Sequence, residues 1–205
     1  AGGAPCPMDL IKTYLAKDAH FVQGYGMTET AAGLTLLTAE FALTKIGSAG
    51  QPLFHDELKI VDLKGNVLGP NQVGEIIAKG PNIIREYWNM PEETARNFYE
   101  GWLHTGDMGY LDEDGFLYIT DRKKDMYISG GENVYPAEVE GILLGFPKIT
   151  EAAVIGVPDE KWGETGLAIV TLAPGVEFSE EEFFAFCKEN LAGYKRPRRV
   201  IVSDK

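Results

Sequence analysis

At Asp121-Arg122-Lys123-Lys124-Asp125 the texture of the chain changes, and that change constrains the fold more than any other feature. Before it, short apolar runs alternate with glycine turns. ELKIVD (57–62) leads into Lys64-Gly65-Asn66, and VGEIIAKG (73–80) follows as a second strand. MGYLDEDGFLYIT (108–120) predicts a hairpin around Asp112-Glu113-Asp114-Gly115. That acidic turn lacks the further spaced oxygen ligands and the closing glutamate of a calcium loop. After the junction, MYISGGENV predicts a strand running into a glycine pair. Pro136 suits an early helical position, and Val139, Ile142, Leu143 and Phe146 recur at helical spacing. EAAVIGVPD (151–159), TGLAIVTLA (165–173) and RRVIVSD add strands. Ser179 and Glu182 form a capping box ahead of EEEFFAFCKENL, which Gly193 is expected to end. The expectation is an α/β chain overall, with a β-rich region over 1–122 and a small α+β module over 123–205.

Composition narrows the function classes. A net charge of -12 over 205 residues argues against non-specific nucleic-acid binding, which rewards a basic face. The positive charge is local, at Arg122, Lys123 and Lys124 and at Lys195, Arg196, Arg198 and Arg199. No apolar run approaches the roughly 20 residues of a membrane span, and no charged-then-apolar signal opens the chain. Cys6 and Cys187 fit no metal-ligand spacing, and Cys187 among Phe183, Phe184 and Phe186 reads as a buried thiol. A cytoplasmic location is expected.

The stretch VQGYGMTET (22–30) carries the first chemical signal. Gly24 and Gly26 permit close backbone approach to a ligand, and Tyr25 between them can offer its face to a flat ring. Met27 leads into Thr28, which can donate to a phosphate, and Glu29, which can hold a hard cation. A glycine-rich loop with Tyr25 packed inward explains the stretch equally well by itself. GWLHTGD (101–107) then places Asp107 after an expected tight Thr-Gly turn, where its carboxylate can accept from paired ribose hydroxyls. ITDRKKD (119–125) supplies the planar donor Arg122, and AGGAP at residues 1–5 offers backbone groups to the edge of a purine. Together these stretches suggest an adenine, ribose and phosphate reader.

GYGMTE, GWLHTGD, GFLYITDRKKD, SGGENVYPAEVE, AAVIGVPDEKWGE and YKRPRRV occur in the order found in acyl-CoA synthetases, so the chain resembles the adenylate-forming superfamily. That superfamily also contains luciferases and peptide-synthetase adenylation domains. The resemblance covers nearly the whole chain. It implies an AMP-forming ligase that makes an acyl-adenylate from a carboxylic acid and MgATP, then passes the acyl group to coenzyme A. It implies the end of a large AMP-binding domain over 1–122 and a small mobile domain over 123–205. By the same resemblance Gly3, Ala4 and Pro5 flank adenine, and Tyr25 stacks on it within the Gly24–Met27 grip. Thr28 touches phosphate, Glu29 binds magnesium, Asp107 holds the ribose with Arg122 beside it, and Lys124 is the interdomain hinge.

Two family elements have no counterpart in these 205 residues: the Thr/Ser- and Gly-rich phosphate loop upstream of GGAP, and the Gly-Lys motif downstream of YKRPRRV. The resemblance therefore implies a C-terminal fragment that is inactive alone. A fatty or related acid is the expected substrate; small Ala31, Ala32 and Gly33 leave room for a chain or a ring and do not choose between them. Adenylation needs no general base because a carboxylate is already ionised at neutral pH, so His104 is expected to be positional. His20 and His55 show no partner in the sequence. YKRPRR is expected to be a solvated basic edge that could instead touch coenzyme A phosphates, and Trp162 to pack the small domain or to face the larger one in one of two poses. A domain loading a carrier protein and a non-catalytic nucleotide-binding module are the alternatives.

Overall fold

In the first half of the chain, short strands divide between two sheets. The computed structural model describes residues 1–3, 6, 8–17 and 19–203, and it divides into two units, Ala1–Ile119 and Thr120–Lys205. The first unit opens with α1 (Met8–Leu15). β1 (Gln23–Tyr25), β2 (Thr35–Leu37) and β3 (Gln51–Pro52) form an antiparallel sheet in that order. The second sheet contains β4 (Glu57–Val61) and β5 (Gly74–Lys79), then β6 (Phe98–Tyr99) after helix α2 (Pro91–Asn97). β7 (Trp102–Leu111) and β8 (Leu117–Arg122) complete it, in the order β4-β5-β7-β6 with β8 also on β7. β5 is buried from Gly74 to Ala78, as a central strand covered on both faces must be. Ala49, Ile60, Ile76 and Leu117 form the core beside it.

The expected hairpin is β7–β8. Asp112 Oδ1 accepts from the amides of Asp114 (3.0 Å) and Phe116 (2.9 Å), and Gly115 takes φ +79°. Lys45 Nζ bridges Asp112 (2.8 Å) and Asp114 (2.5 Å), which fastens the turn to the unit. Two helices in this unit lie outside the sequence expectation of strands and turns. α2 shows why: none of its residues is buried, so it has no apolar stripe to read. Pro91 at its start, Glu92 and Glu93 in the first turn and Arg96 in the last support it instead.

The second unit contains β9 (Tyr127–Ser129), β10 (Glu132–Val134), α3 (Pro136–Leu143), β11 (Ile149–Asp159), β12 (Gly163–Leu172), α4 (Glu180–Asn190) and β13 (Arg199–Val202). The sheet runs β10-β9-β12-β11, and β13 lies parallel to β12. MYISGGENV is a hairpin, β9 and β10, rather than one strand, because Gly130 (φ +62°) and Gly131 (φ +90°) reverse the chain. Val139, Leu143, Phe146, Phe183 and Cys187 pack onto the sheet through Val154, Ala168 and Val170. Ser179 caps α4 by accepting from Glu182 N (3.3 Å), while the Glu182 side chain pairs with Lys148 (2.6 Å) rather than closing the box. Gly193 does not end α4: the chain leaves the helix at Leu191, which is extended at φ -124°. Among the described residues no helix is long and apolar enough to cross a membrane.

Candidate active site

The Gly24–Thr30 segment leaves β1 and closes into a single 3-10 turn, Thr28–Thr30. Thr30 is fully buried and locks this turn, its Oγ1 accepting from Met27 N (3.0 Å) and donating to Met27 O (3.1 Å). Gly26 is required by close approach, since a Cβ there would overlap the Ala32 carbonyl. Thr28 is left exposed and Glu29 half-buried at the tip. Beside the turn lies a cavity of about 690 Å³, within the usual size for a small-molecule site. Gly3, Gly24, Tyr25, Gly26, Met27 and Thr28 line it, together with Ala32, Gly33, Thr35, Leu36 and Leu53. Ala4 and Pro5, the other expected adenine neighbours, lie outside the described residues.

Asp107 joins the site from β7. The Tyr25 hydroxyl donates to Asp107 Oδ2 at 2.7 Å, so the ring between the glycines and the carboxylate of HTGD are held together. Thr105-Gly106-Asp107 is not a tight turn, because β7 continues through it. Gly106 takes φ +72° and the β5–β7 register shifts between Glu75 and Ile77, so the residues form a bulge that re-aims Asp107. Thr105 is buried there and donates to Ile76 O (2.7 Å), while its hydroxyl accepts from Asp107 N (3.1 Å). His104 Nδ1 lies 3.0 Å from Oε2 of buried Glu75, an internal polar pair in keeping with a positional role. His55 is packed edge-on against Phe54.

Glu29 is tied to a residue that no motif singled out. The Tyr87 hydroxyl donates to Glu29 Oε1 at 2.9 Å, and burial together with this bond pushes the Tyr87 phenol up to about 12, so it stays a donor at neutral pH. Ile84 N donates to the Glu29 carbonyl (2.9 Å). Asn82 Nδ2 reaches the carbonyls of Thr30 (3.1 Å) and Gly33 (2.8 Å). These partners lie 49 to 58 residues away, so local spacing carries no trace of them. Glu29 Oε2 makes no hydrogen bond among the described residues, and no group of three or more acidic, His or Cys side chains gathers there into a protein cage. One carboxylate oxygen left without a hydrogen bond among the described residues fits magnesium, which takes one or two carboxylates and completes its shell with substrate phosphates and water.

Arg122 and Lys124 belong to the second unit. Arg122 ends β8 with its N–H on Asp121 Oδ1 (2.7 Å), and Asp121 Oδ2 accepts from Ala137 N (2.9 Å) at the start of α3. Lys124 is exposed in a turn closed by Asp125 N (3.1 Å) and Met126 N (3.3 Å) on Arg122 O. YKRPRR is not simply a solvated edge. Lys195 pairs with Glu138 (2.6 Å), Arg196 donates to Leu191 O (2.8 Å) and Lys188 O (3.2 Å), and Arg198 to Gly193 O (3.3 Å). Arg198 also lies over the Trp162 ring at 5.3 Å, so Trp162 packs within its own unit.

The family model for AMP-binding enzymes matches residues 1–88, and that for their C-terminal domain matches residues 138–205. The chain belongs to the AMP-binding enzymes of the adenylate-forming superfamily. It is 50% identical to 2-succinylbenzoate–CoA ligase of Geobacillus kaustophilus over 99% of its length and 41% of that protein's. It is 47% identical to feruloyl-CoA synthase of an Amycolatopsis species, over all of its length and 42% of that protein's. Among solved structures, the o-succinylbenzoate CoA synthetase of Bacillus subtilis in complex with its acyl-adenylate intermediate superposes with a TM-score of 0.92 at 46% identity. That match covers the whole chain and 42% of the synthetase. The same synthetase in complex with ATP and magnesium ion matches with a TM-score of 0.89. The chain thus spans about two-fifths of the length of the relatives it matches.

Proposed function

We propose that this chain is part of an AMP-forming acid–CoA ligase, and that its acid carries an aromatic ring. The observation that carries the reading is the 2.7 Å bond from Tyr25 to Asp107, with Tyr25 lining a glycine-rich cavity that Thr28, next to Glu29 in the chain, also lines. In this reading Tyr25 stacks on adenine within the backbone of Gly24, Gly26 and Met27, Gly3 lies along the purine edge, Asp107 accepts from ribose hydroxyls, and Arg122 is the further nucleotide-binding donor that the resemblance implies. Thr28 donates to phosphate. Glu29 holds magnesium, which when bound neutralises the phosphate charge that builds up during transfer. The acid's carboxylate oxygen attacks the α-phosphorus of ATP and the bond to pyrophosphate breaks. The thiol of coenzyme A then attacks the acyl carbon, loses its proton, and AMP leaves. Lys124 lies where the small domain would turn between the two half-reactions, and the domain boundary falls at residues 122 and 123.

An aromatic acid replaces the fatty acid expected from sequence, because the named ligases above act on 2-succinylbenzoate and ferulate. Exposed Ala32, Leu36 and Leu53 with half-buried Gly33 give the cavity an apolar, small-residue side with room for a ring. The test is acid-dependent exchange of pyrophosphate into ATP by the full-length protein, followed by thioester formation, with aromatic and straight-chain acids in parallel. Exchange with fatty acids alone would reject the aromatic assignment. Exchange without transfer to coenzyme A, but with transfer to a carrier protein, would favour the carrier-loading alternative.

A further inference from the structure

The Thr28–Gly33 loop is held by Thr30 and its own backbone bonds and, in addition, from outside. Ala31 (φ 49°) and Ala32 (φ 71°) both sit in the left-handed region, which residues with a Cβ enter only when their surroundings impose it. Part of those surroundings is the segment 80–87. Asn82 clamps the loop's carbonyls and also reaches Asp56 Oδ2 (3.2 Å), and Ile84 N grips the Glu29 carbonyl at 2.9 Å. Tyr87 makes the one side-chain hydrogen bond to Glu29 among the described residues. Tyr87 is fixed in turn: its N–H donates to Thr94 Oγ1 in α2 (3.0 Å), and its ring meets Phe98 edge-on at 6.4 Å.

We propose that Tyr87 is the positioning residue for the Glu29 carboxylate. By donating to Oε1 it selects one rotamer of a half-buried side chain, so that Oε2 is the oxygen presented to a cation carried in by a nucleotide. The backbone contacts of Asn82 and Ile84 place the residue, and Tyr87 places its charge. This rests on the reading of Glu29 as the cation ligand.

The test uses the full-length protein with Mn²⁺ in place of magnesium and α,β-methylene ATP, which cannot transfer its adenylyl group. Binding of Mn²⁺ to the protein–nucleotide complex is followed by electron paramagnetic resonance. Tyr87→Phe should weaken it about 10-fold, the loss expected for one hydrogen bond to a charged group. Nucleotide affinity without metal and the melting temperature should stay near wild type, a split that a merely structural tyrosine would not produce. Glu29→Gln is the companion variant and should weaken Mn²⁺ binding at least as much. Mn²⁺ affinity unchanged in Tyr87→Phe but lost in Glu29→Gln overturns the role of Tyr87 and leaves the ligand reading standing. Affinity unchanged in Glu29→Gln removes the ligand reading and the Tyr87 proposal with it. If Tyr87→Phe fails to fold, Thr94→Val removes the acceptor of the Tyr87 N–H and keeps the phenol. A two- to fivefold loss there supports the proposal, and wild-type affinity overturns it.

Discussion

The hydroxyl of Tyr25 and the carboxylate of Asp107 lie 2.7 Å apart although 82 residues separate them in the chain. The bond joins β1 of one sheet to β7 of another, and it fixes the ring that lines the cavity to the carboxylate that the bulge at Gly106 re-aims. Losing the carboxylate therefore removes the anchor of the ring and, if Asp107 holds the ribose as proposed, an acceptor for the ligand. Asp107→Ala in the full-length protein should raise the Michaelis constant for ATP by about 10- to 150-fold, corresponding to roughly 1.5–3 kcal/mol for a hydrogen bond to a charged group. Tyr25→Phe, which keeps the ring, should cost less. Steady-state kinetics with each substrate varied in turn decides the matter: a loss confined to the acid's constant would reject the assignment.

Gly26→Ala tests the loop itself. A Cβ at this position overlaps the Ala32 carbonyl and comes within 2.9 Å of Gly33 Cα, both backbone atoms that cannot swing aside. Overpacking of this kind costs about 1–3 kcal/mol. The expected result is a lower melting temperature together with weaker ATP use, because the displaced loop carries Thr28 and Glu29. Wild-type kinetics and melting would show that the loop absorbs a methyl group freely.

How much of this was legible beforehand depends on the range of the contact. The Ser179 cap, the β7–β8 hairpin and the apolar spacing of α3 are local, and each was readable from residues within a few positions. The GYGMTET loop was recognisable because close approach forces glycine at Gly26. Tyr87 left no signal, since its bond to Glu29 spans 58 residues and a tyrosine in REYWN is equally consistent with ordinary packing. Thr105-Gly106 was read as a turn because a left-handed glycine serves turns and bulges alike, and only the pairing of β5 with β7 distinguishes them. Similarly, α4 ends before Gly193 through an extended Leu191, which carries no C-cap signature.

The two cysteines should differ sharply in reactivity. Cys187 is 1% exposed, and burial pushes its thiol up to about 11, so little thiolate exists at pH 8. Cys6 is only partly covered. Alkylation at pH 8 followed by mass spectrometry should label Cys6 and leave Cys187 unmodified until denaturant is added. Equal labelling of both in the folded protein would contradict the packing of α4.

Lys45 makes the hairpin turn sensitive to acid. Burial alone would raise the Asp112 carboxyl, but hydrogen bonds from Lys45 and from the amides of Phe116 and Asp114 outweigh it and hold the group below the usual carboxylate range. A depressed folded pKa means stabilisation that is present above the unfolded value near 4 and lost as pH falls through the folded value. The urea midpoint should therefore drop between pH 6 and pH 3, and Lys45→Met should lower it at pH 6 while making it less dependent on pH. An identical slope in both proteins would exclude this pair as a source of the acid sensitivity.

Lys124→Pro is the sharpest test of the two-step reading. Lys124 is exposed and sits inside the turn that Asp125 N and Met126 N close on Arg122 O. Proline here fixes φ near -65° and drives Lys123 away from the helical region that such a turn uses. The variant thus disfavours this conformation of the junction without touching the cavity or the Tyr25–Asp107 bond. If Lys124 is the hinge, the half-reaction that uses this turn should fall by orders of magnitude in the full-length protein, while the other survives within a few-fold. If Lys124 is merely a solvated lysine, both half-reactions change together or hardly at all. Pyrophosphate exchange and thioester formation measured on one preparation separate the two outcomes, and equal losses would sink the hinge assignment.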